Sequence, residues 1–430
     1  MHFDRKFWRD AGWNYGSLAV QALVGVALNF GILAFGGDAR LGVFNQLYAI
    51  FVIAGQMAVV GLHDSTLKHA SEYAEAEAES RVLTLAAAIA GVGAGAVSGV
   101  LLLLLAGPLG RAFASPEVGQ GIFWLAPGLF LFTVNKVLMG ILNGQRRMAA
   151  FAVGQALRAV VILAVCAAML WRGARPAAFG LAFTVAELVL LLFLGFFLRP
   201  VRFVRGTGDR VREWIRRHFA FGGRAVVHGF LSESFIRIDV IMLGIFLSDE
   251  LVGIYSFAAF FLEGVYQVSI VVRNVTNPIL VRLLLRRDAA AFAHYTRRAA
   301  GVSFGATVVA AGSVVAVFPW LDRFLPAHVI AQGFPVLGML MAGLALFSLT
   351  VPFDYIFLQA GRPGLQSWYM LATTMVNVLL NAVLIPRWGL MGAATATAIA
   401  FVASVVLVNY LAASILKLQG GIFHLGKAAA

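Results

Sequence analysis

The chain is 430 residues long, 61% hydrophobic and only 12% charged, with a mean hydropathy of +0.87, a balance that excludes an ordinary soluble domain. The net charge is +13, yet the basic residues do not gather into a nucleic-acid-binding face. Loops on one set of sides carry most of the 33 Lys and Arg, and the other set carries only Arg40, Arg111, Arg172, Arg175, Arg323 and Arg387, the asymmetry of a multi-span membrane protein.

The amino terminus, MHFDRKFWRD, is charged and runs into a long apolar stretch without a cleavage site of the A-x-A kind, so a retained first helix is expected. Segments long enough to cross roughly 30 Å of hydrocarbon recur along the chain, and each should be helical because unsatisfied backbone groups are costly in lipid. The predicted spans cover residues 13–36, 43–62, 82–106, 121–142, 149–171, 177–198, 220–247, 252–275, 299–320, 332–358, 365–385 and 390–415. The expected fold is therefore an all-α integral membrane protein of about twelve transmembrane helices. By the positive-inside rule the loops 1–12, 63–81, 143–148, 199–219, 276–298, 359–364 and 416–430 are cytoplasmic, and both termini lie there.

Two halves are legible. LGVFNQLYAIFVIAGQMAVV from Leu41 aligns with VGIYSFAAFFLEGVYQVSIV from Val252, bringing Gly42 onto Gly253, Phe44 onto Tyr255 and Gln56 onto Gln267 at one constant offset. LNGQRRMAAF from Leu142 resembles LQAGRPGLQS from Leu358 at a nearly equal one. The offset covers an even number of spans, so the repeat is parallel and predicts two six-helix bundles, residues 1–198 and 220–430, with the Arg-rich stretch 199–219 as a cytoplasmic linker. A cleft between such bundles is the natural substrate path.

Charges inside spans are expensive and mark function by default, although pairing and snorkelling are the competing structural explanations. Arg224, Glu233, Arg237, Asp239, Glu263 and Arg273 concentrate in spans seven and eight, whereas the first half offers mainly Lys136, Arg158 and Glu187. At 100° per residue Arg224, His228 and Asp239 share one face of span seven, and Glu233 and Arg237 form an i,i+4 pair on another. Glu263, Gln267 and Asn274 form a stripe on span eight. Asp239 has no basic residue at i±3 or i±4, so another helix or a cation must balance it. Cys166 is the single cysteine and lies in an apolar span; no metal-ligand cluster, nucleotide-binding loop or H-E-x-x-H motif is present. No enzymatic chemistry and no cofactor is expected.

RIDVIMLGIFLSDELVGIYSFAAFFLE (Arg237 to Glu263) resembles the segment shared by polysaccharide-export flippases of the multidrug/oligosaccharidyl-lipid/polysaccharide superfamily, in particular the Wzx-type O-antigen flippases. LGVFNQLYAIFVIAGQMAVVGLHDSTLKHASEY, ILNGQRR and NVLLNAVLIPRWGLMGAATATAIAFV agree, so the resemblance covers nearly the full length. It implies a bacterial inner-membrane protein that carries undecaprenyl-pyrophosphate-linked oligosaccharide to the periplasmic face for surface polysaccharide synthesis. A polysaccharide polymerase and a chain-length regulator are the protein partners expected, with membrane lipids around and no nucleic acid.

Under that resemblance Arg224, Arg237, Arg273, Lys136 and Arg158 are the pyrophosphate-binding candidates, because cationic donors in the path replace the water around the headgroup. Gln56, Asn143, Gln267 and Asn274 are the sugar-contact candidates. Asp239, Glu263 and His228 are the candidates for coupling to H⁺ or Na⁺, with Arg237 and Asp239 expected to face a water-filled path. The fourteen-helix lipid-II flippases carry arginines in their early spans, and this chain has none in its first three, which disfavours a peptidoglycan role. The alternatives are a cation-coupled multidrug exporter of the same superfamily and a non-transporting scaffold.

Overall fold

The computed structural model describes residues 5–198, 208–286, 289–416, 418 and 421–422. These form α1 (Arg5–Gly36), α2 (Asp38–Val59), α3 (Leu62–Glu72), α4 (Glu77–Ala112), α5 (Pro116–Gly144), α6 (Met148–Trp171) and α7 (Phe179–Phe197). Then follow α8 (Gly208–Phe246), α9 (Asp249–Arg286), α10 (Ala289–Val317), α11 (Ala327–Phe347), the short α12 (Ile356–Gln359) and α13 (Pro363–Ser414). Three 3₁₀ turns complete the regular structure, and no strand occurs among the described residues.

Among the described residues, ten helical stretches are long and apolar enough to cross a membrane. The last of them, α13, has 52 residues, about 78 Å at 1.5 Å per residue, more than twice the hydrocarbon thickness. Pro386 lies inside it and Gly389 departs from helical geometry at φ 56°, ψ −129°, so it makes two crossings with a break between them. Counting it so, and adding the apolar part of α8, gives the twelve spans expected.

Two stretches read as loops are helical instead. Within 63–81, α3 forms despite its polar sequence because Leu62, Ser65, Thr66 and Ala70 turn inward together. It lies backbone to backbone on α5, where a Cβ on Gly140 would sit 2.8 Å from the His63 carbonyl oxygen and one on Gly144 2.5 Å from that of Leu67. Residues 208–219 are the first turns of α8, with Val211, Trp214 and His218 buried at helical spacing. The His218 Nδ1 is 2.9 Å from the Ser65 hydroxyl, and burial pushes this imidazole down to about 4, so it is neutral at pH 7.

The chain forms two compact units, Met1–Glu233 with Ser248–Glu250, and Ser234–Leu247 with Leu251–Ala430. The first holds α1 to α7 and the beginning of α8. Its core joins Val59, Leu62, Leu83, Ile141 and Trp214. The start of α5 carries a complete N-cap, Ser115 accepting from the Val118 N–H at 3.2 Å with Pro116 at the first helical position. Asp249 also belongs here, accepting from Gln46 and from the Ser115 hydroxyl at 2.7 Å each. The second unit is centred on Leu280, Phe292, Phe353, Phe357 and Tyr369. Its chain end folds back, with the Ile422 N–H donating to Asn409 at 2.8 Å and Thr296 donating to the Ile422 carbonyl at 2.9 Å.

The α2–α3 break is a point of close backbone approach in the first unit. Val60 and Gly61 both have positive φ, 48° and 65°, and a Cβ on Gly61 would lie 2.3 Å from the Gly222 carbonyl oxygen of α8. Gly61→Ala is expected to destabilise by about 3 kcal/mol or more, since backbone faces backbone and neither can yield. Gly223→Ala, where an added Cβ meets nothing within 4 Å, should be close to neutral, and thermal unfolding of the two variants in detergent checks the contrast.

Candidate functional site

In the first unit, α5 and α6 bring the two basic candidates to one aromatic ring. Lys136 lies one turn after Phe132 on α5, its Nζ 5.3 Å from the ring centroid, and the Arg158 guanidinium carbon on α6 is 5.2 Å from the same centroid. The Lys136 ammonium donates to Gln56 Oε1 at 2.9 Å, so two sequence candidates from α2 and α5 meet directly. Arg158 Nε is 2.8 Å from Glu187 Oε1. Glu187, on α7, has 1% of its side chain exposed; its carboxylate and its carbonyl oxygen each accept from Asn135 at 2.8 Å. Arg158 and Asn135 thus share one carboxylate, in a place where charge is only weakly screened. Asn143 is half-buried near the end of α5.

In the second unit, Asp239 is 6% exposed and does not open onto the water-filled path expected for it. Three neutral donors surround it: Tyr255 on α9 at 3.0 Å, and Asn381 and Thr397 on α13 at 2.9 Å and 2.5 Å. Asn381 also donates to Asn377 one turn earlier. Within this cluster the buried Asn381 Oδ1 and Asn377 Nδ2 have no hydrogen-bond partner among the described residues. Among the described residues, the balance that the sequence demanded from another helix is supplied as hydrogen bonds and not as a basic side chain. Arg237, two residues earlier, is half-buried and lies about 200° around the helix from Asp239.

Arg273 on α9 is already ion-paired, its Nη1 2.7 Å from Asp354 Oδ2, with the Tyr355 ring 4.9 Å from its guanidinium carbon. Gln366 donates to the Asp354 carbonyl oxygen at 2.7 Å and fixes that turn. Glu263, Gln267 and Asn274 are all exposed on α9. The side chains of Arg224, His228 and Glu233 lie outside the described residues. No group of three His, Cys, Asp or Glu among the described residues can hold a metal ion, and Cys166 is free and buried.

Residues 8–284 match the family model for polysaccharide biosynthesis proteins. The chain belongs to this polysaccharide biosynthesis family. A protein of Haloferax volcanii named probable flippase AglR is 23% identical to it over 409 residues, covering 91% of this chain and 80% of that protein. Among solved structures, an inward-facing multidrug resistance MATE family transporter of the MOP superfamily is similar at a TM-score of 0.73 and 15% identity, over 96% of this chain and 99% of its own. The lipid II flippase MurJ, in an inward closed conformation, is similar at a TM-score of 0.72 and 12% identity, over 91% and 85%. At these identities the likeness to the two structures is one of fold.

For this polysaccharide biosynthesis protein, the sequence singled out Asp239, Lys136, Arg158 and Gln56 as candidates but not most of the residues that surround them. Phe132, Asn135, Tyr255, Asn377, Thr397 and Asp354 were not singled out. Asn377 and Asn381 did carry a signal, two amides four residues apart in NVLLN, one face of an otherwise apolar helix. Asp354 carried one too, as a carboxylate inside the predicted span 332–358; Thr397 carried none, because its partner lies far away in sequence.

Proposed function

We propose that this chain is a flippase that moves an undecaprenyl-pyrophosphate-linked oligosaccharide from the cytoplasmic to the periplasmic face of a bacterial inner membrane by alternating access, both termini being cytoplasmic. The observation that carries this reading is the pair Lys136 and Arg158 on one ring, with Arg158 also paired to Glu187, on helices long and apolar enough to span. A pyrophosphate entering there exchanges hydration for an ammonium and a guanidinium fork, while the polyprenyl tail stays in lipid. Gln56, which accepts from Lys136, would pass its amide to a sugar hydroxyl. Family membership and the relatives named as flippases support the same reading.

In this scheme Asp239 is the coupling site for H⁺ or Na⁺. A carboxylate that meets a tyrosine and a threonine hydroxyl in one buried place supplies oxygen ligands of the kind a hard cation prefers. A polymerase and a chain-length regulator would receive the product on the far side.

The test is a proteoliposome assay with a fluorescent polyprenyl-pyrophosphate disaccharide whose label is quenched from outside. The wild-type protein should move the probe between leaflets. Lys136→Gln combined with Arg158→Gln and Glu187→Gln, which keeps hydrogen bonding and removes charge, should slow it at least about tenfold. Transport of a cationic dye with no movement of the lipid probe would replace this reading with a multidrug exporter, for which a cationic site is poorly suited.

A further inference from the structure

We propose that Phe132 is a positioning residue for the headgroup, the ring that holds Lys136 and Arg158 at a fixed separation for one diphosphate; this rests on the flippase reading above. Both cations lie at 5.3 Å and 5.2 Å from one centroid. They therefore cannot be more than about 10 Å apart, roughly the span of a pyrophosphate with a hydrogen bond at each end.

The ring is itself fixed. It ends an aromatic series on α2, α5 and α7 in which Phe44 meets Phe183 at 5.8 Å, Phe183 meets Phe51 at 5.0 Å and Phe51 meets Phe132 edge-on at 5.0 Å. Its seat exists only because residue 55 is glycine, since a Cβ there would lie 2.6 Å from Phe132 Cε1. An aromatic face suits this task better than a second carboxylate. It attracts a cation through the ring quadrupole without cancelling its charge. A second acid beside Glu187 would fix the side chains equally well and repel the diphosphate.

The experiment measures binding of farnesyl pyrophosphate to the full-length protein in detergent, together with thermal unfolding. Phe132→Leu should weaken binding about tenfold with little change in Tm, and Phe132→Trp should restore affinity to near the wild-type level. Gly55→Ala, which keeps the ring but pushes on it, should also weaken binding and serves if Phe132→Leu does not fold. Equal weakening by the Trp and Leu variants would reduce the ring to packing and overturn the proposal, as would wild-type affinity in Phe132→Leu. If the neutralised Lys136, Arg158 and Glu187 variant binds the probe normally, the headgroup site itself is refuted and this inference falls with it. If that variant loses binding while Phe132→Leu keeps it, only the positioning role is refuted.

Discussion

Arg158→Leu is expected to destabilise the protein by about 3–5 kcal/mol, the cost of leaving a buried carboxylate without its cation. Glu187 has 1% of its side chain exposed, and after the change its remaining described donor is Asn135, a neutral group. The double variant Arg158→Leu with Glu187→Leu should recover most of that loss, because two apolar side chains avoid both the Coulombic gain and the desolvation cost. Thermal unfolding of the wild type, both single variants and the double variant closes a double-mutant cycle, and the coupling energy is read directly. Equal losses in the single and double variants would mean that the pair contributes packing and no electrostatics. The cycle also bears on transport, since any assay of Arg158 alone mixes a binding defect with a folding defect.

Asp239→Asn is expected to leave the fold intact and to abolish dependence of transport on a cation gradient. The replacement has nearly the same shape. Its amide oxygen can still accept from Tyr255 or Thr397, and its NH₂ can donate to Asn381 once that side chain turns its unpartnered Oδ1 inward. What disappears is the negative charge. Asp239→Ala removes the acceptor as well, and leaving three buried donors without it costs about 1–3 kcal/mol for each that stays unsatisfied. Flux of the lipid probe with and without an imposed H⁺ or Na⁺ gradient decides the matter. A gradient-stimulated rate that survives in Asp239→Asn would remove Asp239 from coupling.

The spans were legible because hydrocarbon demands long apolar runs and satisfied backbone, and that demand is written locally in the sequence. The polar α3 was not, since its stability comes from glycines on α5 far along the chain. The same division holds at the sites. Lys136, Arg158 and Asp239 announce themselves as charges in apolar surroundings. Their environment does not: Glu187 reaches Arg158 across 29 residues, and Asn381 and Thr397 reach Asp239 across 142 and 158. No periodicity connects such pairs, so the sequence could say that Asp239 needed a partner without saying that hydroxyls and amides would serve. The side of the helix taken by Arg237 is legible by geometry alone, two residues from Asp239 and so on a nearly opposite face.

One helix serves two units, α8 contributing residues up to Glu233 to the first and from Ser234 to the second. A split protein cut just before Gly208 would hand the first unit's closing element, with Trp214 and Gly222, to the wrong fragment. During synthesis the amino-terminal half cannot finish folding when its seventh helix emerges, and must wait for α8 to be inserted. A cut before α8 deprives the first unit of residues up to Glu233, and a cut after α8 deprives the second of Ser234–Leu247, so neither pair of separately expressed halves should be stable apart, and the chain is not two modules joined by a tether.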